Sequence, residues 1–302
     1  MIVVFGSINT DILIHTARLP APGETVLSPG YQASAGGKGL NQAIAAQRAR
    51  ASGAAPVRMV SAIGADPMAE LPAATMRKAG LDTAGVAVVE MATGCACITV
   101  DGHGENQIVV ASGANACVSA DQVPEAWLGP DTTVIAQMEV PSGEVVSLFR
   151  RARAQGARTI LNLAPYAALA PDDLSLVDIL VVNQVEADAL AGALGITAGS
   201  PRQLVEALAR HVGYAGIITL GSEGAVASAD GKFLSVAPIP VEPVDTVGAG
   251  DAFVGVLGAY LDAGSSLEVA LQRAAAAGSL ACLKPGAAPS MPGRAAIEDK
   301  FS

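Results

Sequence analysis

The chain has 302 residues, 51% hydrophobic and 15% charged, with a formal net charge of −10. This composition excludes a disordered chain and supplies enough apolar surface for a substantial core. The acidic balance, with no basic stripe, argues against nucleic acid as a partner, so an anionic ligand would have to be met by helix N-termini, backbone N–H groups or a bound cation.

The segment Met1-Ile2-Val3-Val4-Phe5-Gly6 reads as a first strand, Ile2–Phe5, and lacks the basic start and long apolar core of a signal peptide. Gly6-Ser7-Ile8-Asn9-Thr10-Asp11 follows, with Asn9 and Asp11 at the carboxyl end of that strand. A carboxylate there can accept from two neighbouring hydroxyls, as a polyol demands; ordinary turn chemistry is the plainer reading. Strand-like Ile12–His15 and Val26–Gln32 flank the turn Pro20-Ala21-Pro22-Gly23 and suggest a hairpin. Ala35-Gly36-Gly37-Lys38-Gly39-Leu40-Asn41-Gln42 then leads into a helix over Asn41–Ala51. It is not a Walker A loop, because Gln32 stands where the first glycine belongs and no Ser or Thr follows Lys38. Its glycines suit close substrate approach, with Lys38 and Asn41 as donors, or simply a flexible helix start.

Beyond it, a strand at Val57–Ala62 and a helix at Ala69–Ala79 precede a second hairpin, Cys95–Val100 and Gln107–Val110 around Asp101-Gly102-His103-Gly104. Neither hairpin can bury two faces alone, so the two are expected to pair into one small sheet. That sheet would sit over the end of the first strand as a lid, with its outer face covered by a second subunit.

The remaining strands, Thr133–Gln137, Thr159–Asn162, Ile179–Asn183 and Gly216–Leu220, alternate with helices over Gly143–Gln155, Val185–Gly192 and Gln203–Val212. This is the rhythm of a mostly parallel sheet with helices on both faces. Several strand ends carry polar residues. Gln137-Met138-Glu139 places a carboxylate at the ligand-binding edge, and Asn183-Gln184-Val185-Glu186 fits a capping box and also a Mg²⁺-organising site. Thr219-Leu220-Gly221-Ser222-Glu223-Gly224 suits either a nucleotide-lining turn or a plain hairpin turn.

The strongest signal is Asp245-Thr246-Val247-Gly248-Ala249-Gly250-Asp251, followed by a helical apolar face through Val254, Leu257 and Leu261. Gly248, Ala249 and Gly250 leave backbone N–H groups uncovered at a helix N-terminus, an anion hole. Asp251 beside it can take a proton from an attacking hydroxyl. The four cysteines lack CxxC spacing, and His15, His103 and His211 have no partners at catalytic or metal spacing. No apolar stretch is long enough to span a bilayer, so a soluble cytoplasmic protein is expected.

In order along the chain, Gly-Ser-Ile-Asn-x-Asp, Gly-Gly-Lys-Gly-x-Asn, Asn-x-x-Glu and Asp-Thr-x-Gly-Ala-Gly-Asp together resemble the PfkB-type carbohydrate kinases, and within them most closely the ribokinases. Pro22-Gly23-Glu24-Thr25, Gly113-Ala114-Asn115, Asn162-Leu163-Ala164-Pro165 and Pro285-Gly286-Ala287-Ala288-Pro289-Ser290 extend the resemblance over essentially the whole chain. It implies a ribokinase-like α/β fold with a body over residues 1–10, 36–85 and 111–302 and a β-sheet lid over residues 11–35 and 86–110. It also implies ATP-dependent phosphorylation of D-ribose at O5 and a homodimer formed through the lid. Asp251 would be the base and Gly248, Ala249 and Gly250 the anion hole. Asn9, Asp11, Gly37, Lys38, Asn41 and Glu139 match sugar-contacting positions. Asn183, Thr219, Gly221, Ser222 and Gly224 match nucleotide-contacting ones, and Glu186 matches the residue that organises Mg²⁺ through water. Asp245, Val247, Ala281, Gly286 and Ser290 match the site of a monovalent cation, usually K⁺.

Two departures bear on specificity: only Ala274–Ala277 stands where some ribokinases carry a polar residue near adenine, and Ser34, Ala35 and Leu40 border the sugar pocket. The alternatives keep the mechanism and change the acceptor to 2-deoxyribose, another pentose, a ketohexose or a nucleoside. A non-catalytic sugar or nucleotide sensor on the same scaffold is a further reading. A Rossmann dehydrogenase is disfavoured, because no G-x-G-x-x-G follows the first strand.

Overall fold

Runs of Val, Ile and Leu form the middle of a large sheet because helices cover both of its faces. The computed structural model describes all 302 residues. Its strands are β1 (Ile2–Phe5), β2 (Asn9–His15), β3 (Tyr31–Gly36), β4 (Arg58–Gly64), β5 (Asp82–Val89), β6 (Gly94–Val100), β7 (Asn106–Ala111), β8 (Thr133–Gln137), β9 (Arg158–Asn162), β10 (Ile179–Asn183), β11 (Ala215–Thr219), β12 (Ala225–Ala229) and β13 (Lys232–Val236). Nine of them form one sheet in the order β13-β12-β11-β10-β9-β8-β1-β4-β5, and the other four form a separate sheet, β3-β2-β6-β7. Pairing in the large sheet is parallel except along β11-β12 and β12-β13.

The helices are α1 (Lys38–Ala49), α2 (Glu70–Ala79), α3 (Ser142–Ala154), the short α4 (Pro171–Leu174), α5 (Gln184–Leu194), α6 (Pro201–Leu208), α7 (Ala249–Asp262), α8 (Leu267–Ala281) and the short α9 (Ala287–Ser290) and α10 (Arg294–Glu298). Alternation along β1 divides the core. Ile2 and Val4 pack with residues of α1, α7 and α8, whereas Val3 and Phe5 pack on the opposite face with residues of α3, α5 and α6. Chain order reverses at β1, which lies between β8 and β4. A crevice at the carboxyl ends of β1 and β8 follows from that reversal, and open α/β sheets bind ligands at such a point.

The expected elements are present, with three differences. The second expected hairpin segment began at residue 86, but β5 runs to Val89 and pairs parallel with β4 in the large sheet. Its valines extend a strand already paired, so the small sheet resumes only at Gly94. In the first hairpin, Val26–Ser28 is loop and the return strand begins at Tyr31; the intervening loop is held by the Arg18–Glu24 ion pair and by Ser28, whose hydroxyl donates to the His15 carbonyl. The hairpin β12-β13 was not anticipated, because Ala225-Val226-Ala227-Ser228-Ala229 carries little strand signal of its own and is ordered by pairing with β11. The two expected hairpins do join in one sheet, through parallel pairing of β2 with β6.

Small residues let α1 and α7 approach closely. A Cβ at Gly255 would lie 2.4 Å from the Gln42 carbonyl oxygen and 2.6 Å from the Ala45 Cβ, and one at Gly258 would lie 2.5 Å from Ile135 Cδ1. Replacing a mid-helix glycine by alanine ordinarily gains about 1 kcal/mol. At Gly255 the clash against the α1 backbone reverses that sign. Gly255→Ala is expected to lose about 1–2 kcal/mol net, read as a lower urea midpoint at unchanged slope; a higher midpoint would show that the α1–α7 contact is slack.

Candidate active site

Helices α1 and α7 both start on a glycine with positive φ, Gly37 at 90° and Gly248 at 80°, and neither has a side-chain cap. Their N-termini differ in what they offer. In α1 the amides are already occupied: Lys38 N–H donates to Glu139 Oε2 (3.0 Å), Gly39 N–H to Ser7 Oγ (3.3 Å) and Leu40 N–H to the Ser7 carbonyl (2.9 Å). In α7 only Ala249 N–H reaches an acceptor, the Thr246 carbonyl at 3.3 Å; those of Gly248, Gly250 and Asp251 donate to no protein group. Gly250 faces open space. The α7 terminus thus presents unspent donors and the positive end of a helix dipole.

Asp251 lies in the first turn of α7, 7% exposed. Asn41 Nδ2 donates to its Oδ2 and Gln42 Nε2 to its Oδ1, both at 2.9 Å. Burial pushes its carboxyl above the usual range, while the Lys38 charge and the two amide hydrogen bonds pull it down and Glu139 adds to the rise. Burial by itself would lower the Lys38 ammonium, but the charges of Asp251, Glu139 and Glu186 outweigh it and hold the group above its ordinary value. Asp11 is pushed up to about 6, first by burial and then by Glu139 and Asp251. Its Oδ1 and the Oδ1 of Asn41 are buried with no hydrogen-bond partner.

A cleft of about 120 Å³ is lined by Lys38, Asn162, Asn183, Glu186, Thr219, Gly248, Gly250 and Asp251, among others. It brings together residues expected to serve catalysis with residues expected to serve the nucleotide. Asn183 and Glu186 form a full capping box on α5, so the structural reading of that motif holds, and both also face the cleft. Burial raises the Glu186 carboxyl, against the Asn183 amide and the Lys38 charge. Gly221, Ser222 and Gly224 are not among the residues lining this cleft; they form the turn between β11 and β12, beyond Thr219.

Asn9 and Glu139 line an adjoining cavity of about 390 Å³. Asn115 Nδ2 donates to Asn9 Oδ1 at 2.8 Å, while Asn115 Oδ1 accepts from Ile8 N–H. This fixes the Asn9 amide with its NH₂ group unspent. Glu139 Oε2 accepts from Ser7 Oγ at 2.5 Å as well as from Lys38 N–H, so Glu139, in the segment after β8, satisfies the first amide of α1. Gly36 must lack a side chain, because a Cβ there would lie 1.9 Å from Asp11 Oδ2.

At the other expected cation site, Asp245 Oδ1 accepts from Val247 N–H (3.0 Å) and Oδ2 from Gly286 N–H (2.8 Å), clipping two loops together. Ala281 ends α8, and Ser290 donates to the Ala287 carbonyl. The clipped loop touches the anion hole: a Cβ at Gly248 would lie 2.9 Å from Ala287 Cα. Both Asp245 oxygens are thus engaged by backbone N–H groups, and the Cys282 carbonyl accepts from the N–H groups of Val244 and Asp245, so a cation there would share these atoms with existing hydrogen bonds.

Gln42, Gln137, Asn162, Asn115 and Ser7 were not singled out from the sequence as site residues. The signal available for Gln137 and Asn162 is a polar residue closing an otherwise apolar strand at its carboxyl end.

The model of the pfkB family carbohydrate kinases matches residues 1–294. The chain is 34% identical to a ribokinase of Haemophilus influenzae, over 97% of this chain and 95% of that one. It is 30% identical to a deoxyribokinase of Salmonella typhi, over 90% and 89%. The solved structure of Arabidopsis thaliana ribokinase complexed with ribose and ATP superimposes with a TM-score of 0.87 at 30% identity, covering 100% of this chain and 99% of that one. With that match over nearly its full length, and with a buried aspartate set against the open amides of a helix start, the chain belongs to the pfkB family of carbohydrate kinases.

Proposed function

We propose that this chain transfers the γ-phosphoryl group of ATP to the 5-hydroxyl of D-ribose, giving D-ribose 5-phosphate and ADP. The observation that carries the choice of acceptor is the pair of buried, unpartnered oxygens, Asp11 Oδ1 and Asn41 Oδ1, beside the Asp251 carboxylate. Buried acceptors demand donors, and the 2- and 3-hydroxyls of a ribose supply two side by side. Asn9 donates from its unspent NH₂ group and Glu139 contributes its free oxygen, while Gly37 lets the start of α1 lie against the Ser7–Asn9 backbone.

In this reading Asp251 takes the proton of the 5-hydroxyl as it attacks. The open amides of the Gly248-Ala249-Gly250 turn hold the charge of the transferring group, and Lys38 neutralises it further. Asn183, Thr219, Gly221, Ser222 and Gly224 receive the nucleotide. Glu186 would hold Mg²⁺ through water, and the ion supplies charge neutralisation to the phosphates. Asp245, Val247, Ala281, Gly286 and Ser290 would hold K⁺, several through backbone carbonyls. The small sheet acts as a lid.

Its open face supports a dimer. Register places Tyr31 and Ile14 in one row and Ile12, Cys97 and Val109 in the next, all on one side, with Tyr31 at 69% and Val109 at 72% exposure. A second copy covers such a face more readily than water does. We place the protein in the cytoplasm with its nucleotide; no helix is long and apolar enough to cross a membrane.

Three measurements test this reading. In a coupled ADP-release assay, kcat/KM for ribose should exceed that for 2-deoxyribose by ~10² or more, because the deoxy sugar leaves a buried acceptor unpaired. Equal values would remove Asp11 and Asn41 from sugar recognition and favour a 2-deoxyribose or broader kinase. Exchanging K⁺ for Tris should depress turnover and restoring K⁺ should recover it; indifference to K⁺ would withdraw the assignment at Asp245. Sedimentation equilibrium should give twice the chain mass, and a monomer at micromolar concentration would leave the open face unexplained by self-association.

A further inference from the structure

Behind Asp251 runs a chain of buried amides whose orientation is set by the backbone. Asn162 Nδ2 donates to the Val181 carbonyl at 3.2 Å, an atom that can only accept, so Asn162 Oδ1 must face Gln42. Gln42, fully buried, spends both hydrogens of its Nε2: one on Asn162 Oδ1 and one on Asp251 Oδ1, each at 2.9 Å. Its Oε1 accepts from Gln137 Nε2 at 2.6 Å. A reversed Gln42 amide would set its oxygen against two acceptors and its NH₂ against another donor. Gln137 leaves its own Oε1 buried without a partner, so the orientation of Gln42 is set from the Asn162 side. Gln42 is therefore an obligatory donor to Asp251, and it offers nothing to a ligand.

We propose that Gln42 is a positioning residue for phosphoryl transfer, holding the Asp251 carboxylate in the rotation that points a free lone pair at the acceptor hydroxyl and keeping it ionised there. This rests on the reading of Asp251 as the base. Asn41 binds the other oxygen but leaves its own Oδ1 buried and unpartnered, the acceptor assigned above to the sugar. Gln42 has no second duty.

The charged groups around Asp251 are Lys38 on α1, Glu139 after β8 and Asp11 on β2. Burial and Glu139 raise the Asp251 carboxyl, while Lys38, Gln42 and Asn41 lower it. A donated hydrogen bond stabilises the ionised form, so losing the one from Gln42 raises the folded-state value further. The base works above its pKa and fails as pH falls through it. Loss of Gln42 therefore moves the acid limb of kcat to higher pH.

The test uses Gln42→Glu, nearly isosteric and still able to accept from Gln137, together with Gln42→Met, which has no titrating group. Both are assayed at saturating ribose and ATP, where Asp11 is already engaged by the sugar. Thermal melting checks that each variant folds. The expected result is an acid limb moved up by about one pH unit in both variants, with kcat at pH 7 down by ~10-fold or more and both KM values within about threefold. Lower stability and lower kcat with an unmoved acid limb would make Gln42 a structural residue only and overturn the proposal. Asp251→Asn run alongside separates the two readings. It should cut kcat by at least ~10². Near-native turnover there would defeat the base assignment itself, whereas an inactive Asp251→Asn with unshifted Gln42 variants would defeat only the role of Gln42.

Discussion

The structure turns on a buried carboxylate held across a helix–helix contact. Asp251 leaves bulk water at the start of α7 and is stable there only because α1 supplies two amide donors and a nearby ammonium. An unpaired carboxylate in such a place costs several kcal/mol. Two amides at 2.9 Å require that α1 and α7 lie nearly backbone to backbone, which a larger residue at Gly255 would prevent. The alanines and glycines of both helices, and the scarcity of aromatics at 3% of the chain, are what that approach demands. Between its first turn and the ion-paired Asp262 at its far end α7 is apolar and buried, so Asp251 stands out as the one acid it carries at the crevice.

Topology delivers the partners. Because β1 lies between β8 and β4, the segment after β1 and the segment after β8 emerge side by side. Ser7 and Glu139, far apart in sequence, meet at the start of α1 and satisfy its first amides. The small sheet grows from that point: β2 begins at Asn9, and β3 ends at Gly36, next to the helix that carries Lys38, Asn41 and Gln42. Asp11 on β2 is thereby carried into the neighbourhood of Asp251 and Glu139, where burial first and then the two carboxylates raise it to about 6.

Much of this was legible in the sequence, for local reasons. Asp251, Asn183 and Glu186 sit in short segments whose geometry is set by neighbours one to four residues away: a glycine turn before a helix, or a capping box. Strand interiors were legible because apolar runs announce them. The amide chain from Asn162 through Gln42 to Asp251 was not, since its links join residues 120 and 209 positions apart and no local pattern encodes them. The edges of the small sheet were missed for a related reason. Tyr31-Gln32-Ala33-Ser34-Ala35-Gly36 has weak strand preference and is extended because β2 pairs with it, while the valines of β5 look like a hairpin arm until β4 claims them.

The two glycine-started helices show why function concentrates on one of them. Both aim a dipole into the same crevice, and by sequence alone either could hold an anion. The α1 terminus is neutralised from within: Glu139 places a carboxylate on it, and Ser7 takes two of its amides. What α1 retains are side chains, Lys38 toward the cleft and Asn41 and Gln42 toward Asp251. The α7 terminus keeps its backbone donors and contributes a single side chain, Asp251. A phosphoryl group entering the crevice therefore finds open amides only at α7, and the acid that would take the proton of its acceptor stands in the same turn. Separating the donors in this way keeps Lys38 from being spent on α1 and leaves its charge between Asp251, Glu139 and Glu186, where the phosphates would have to pass.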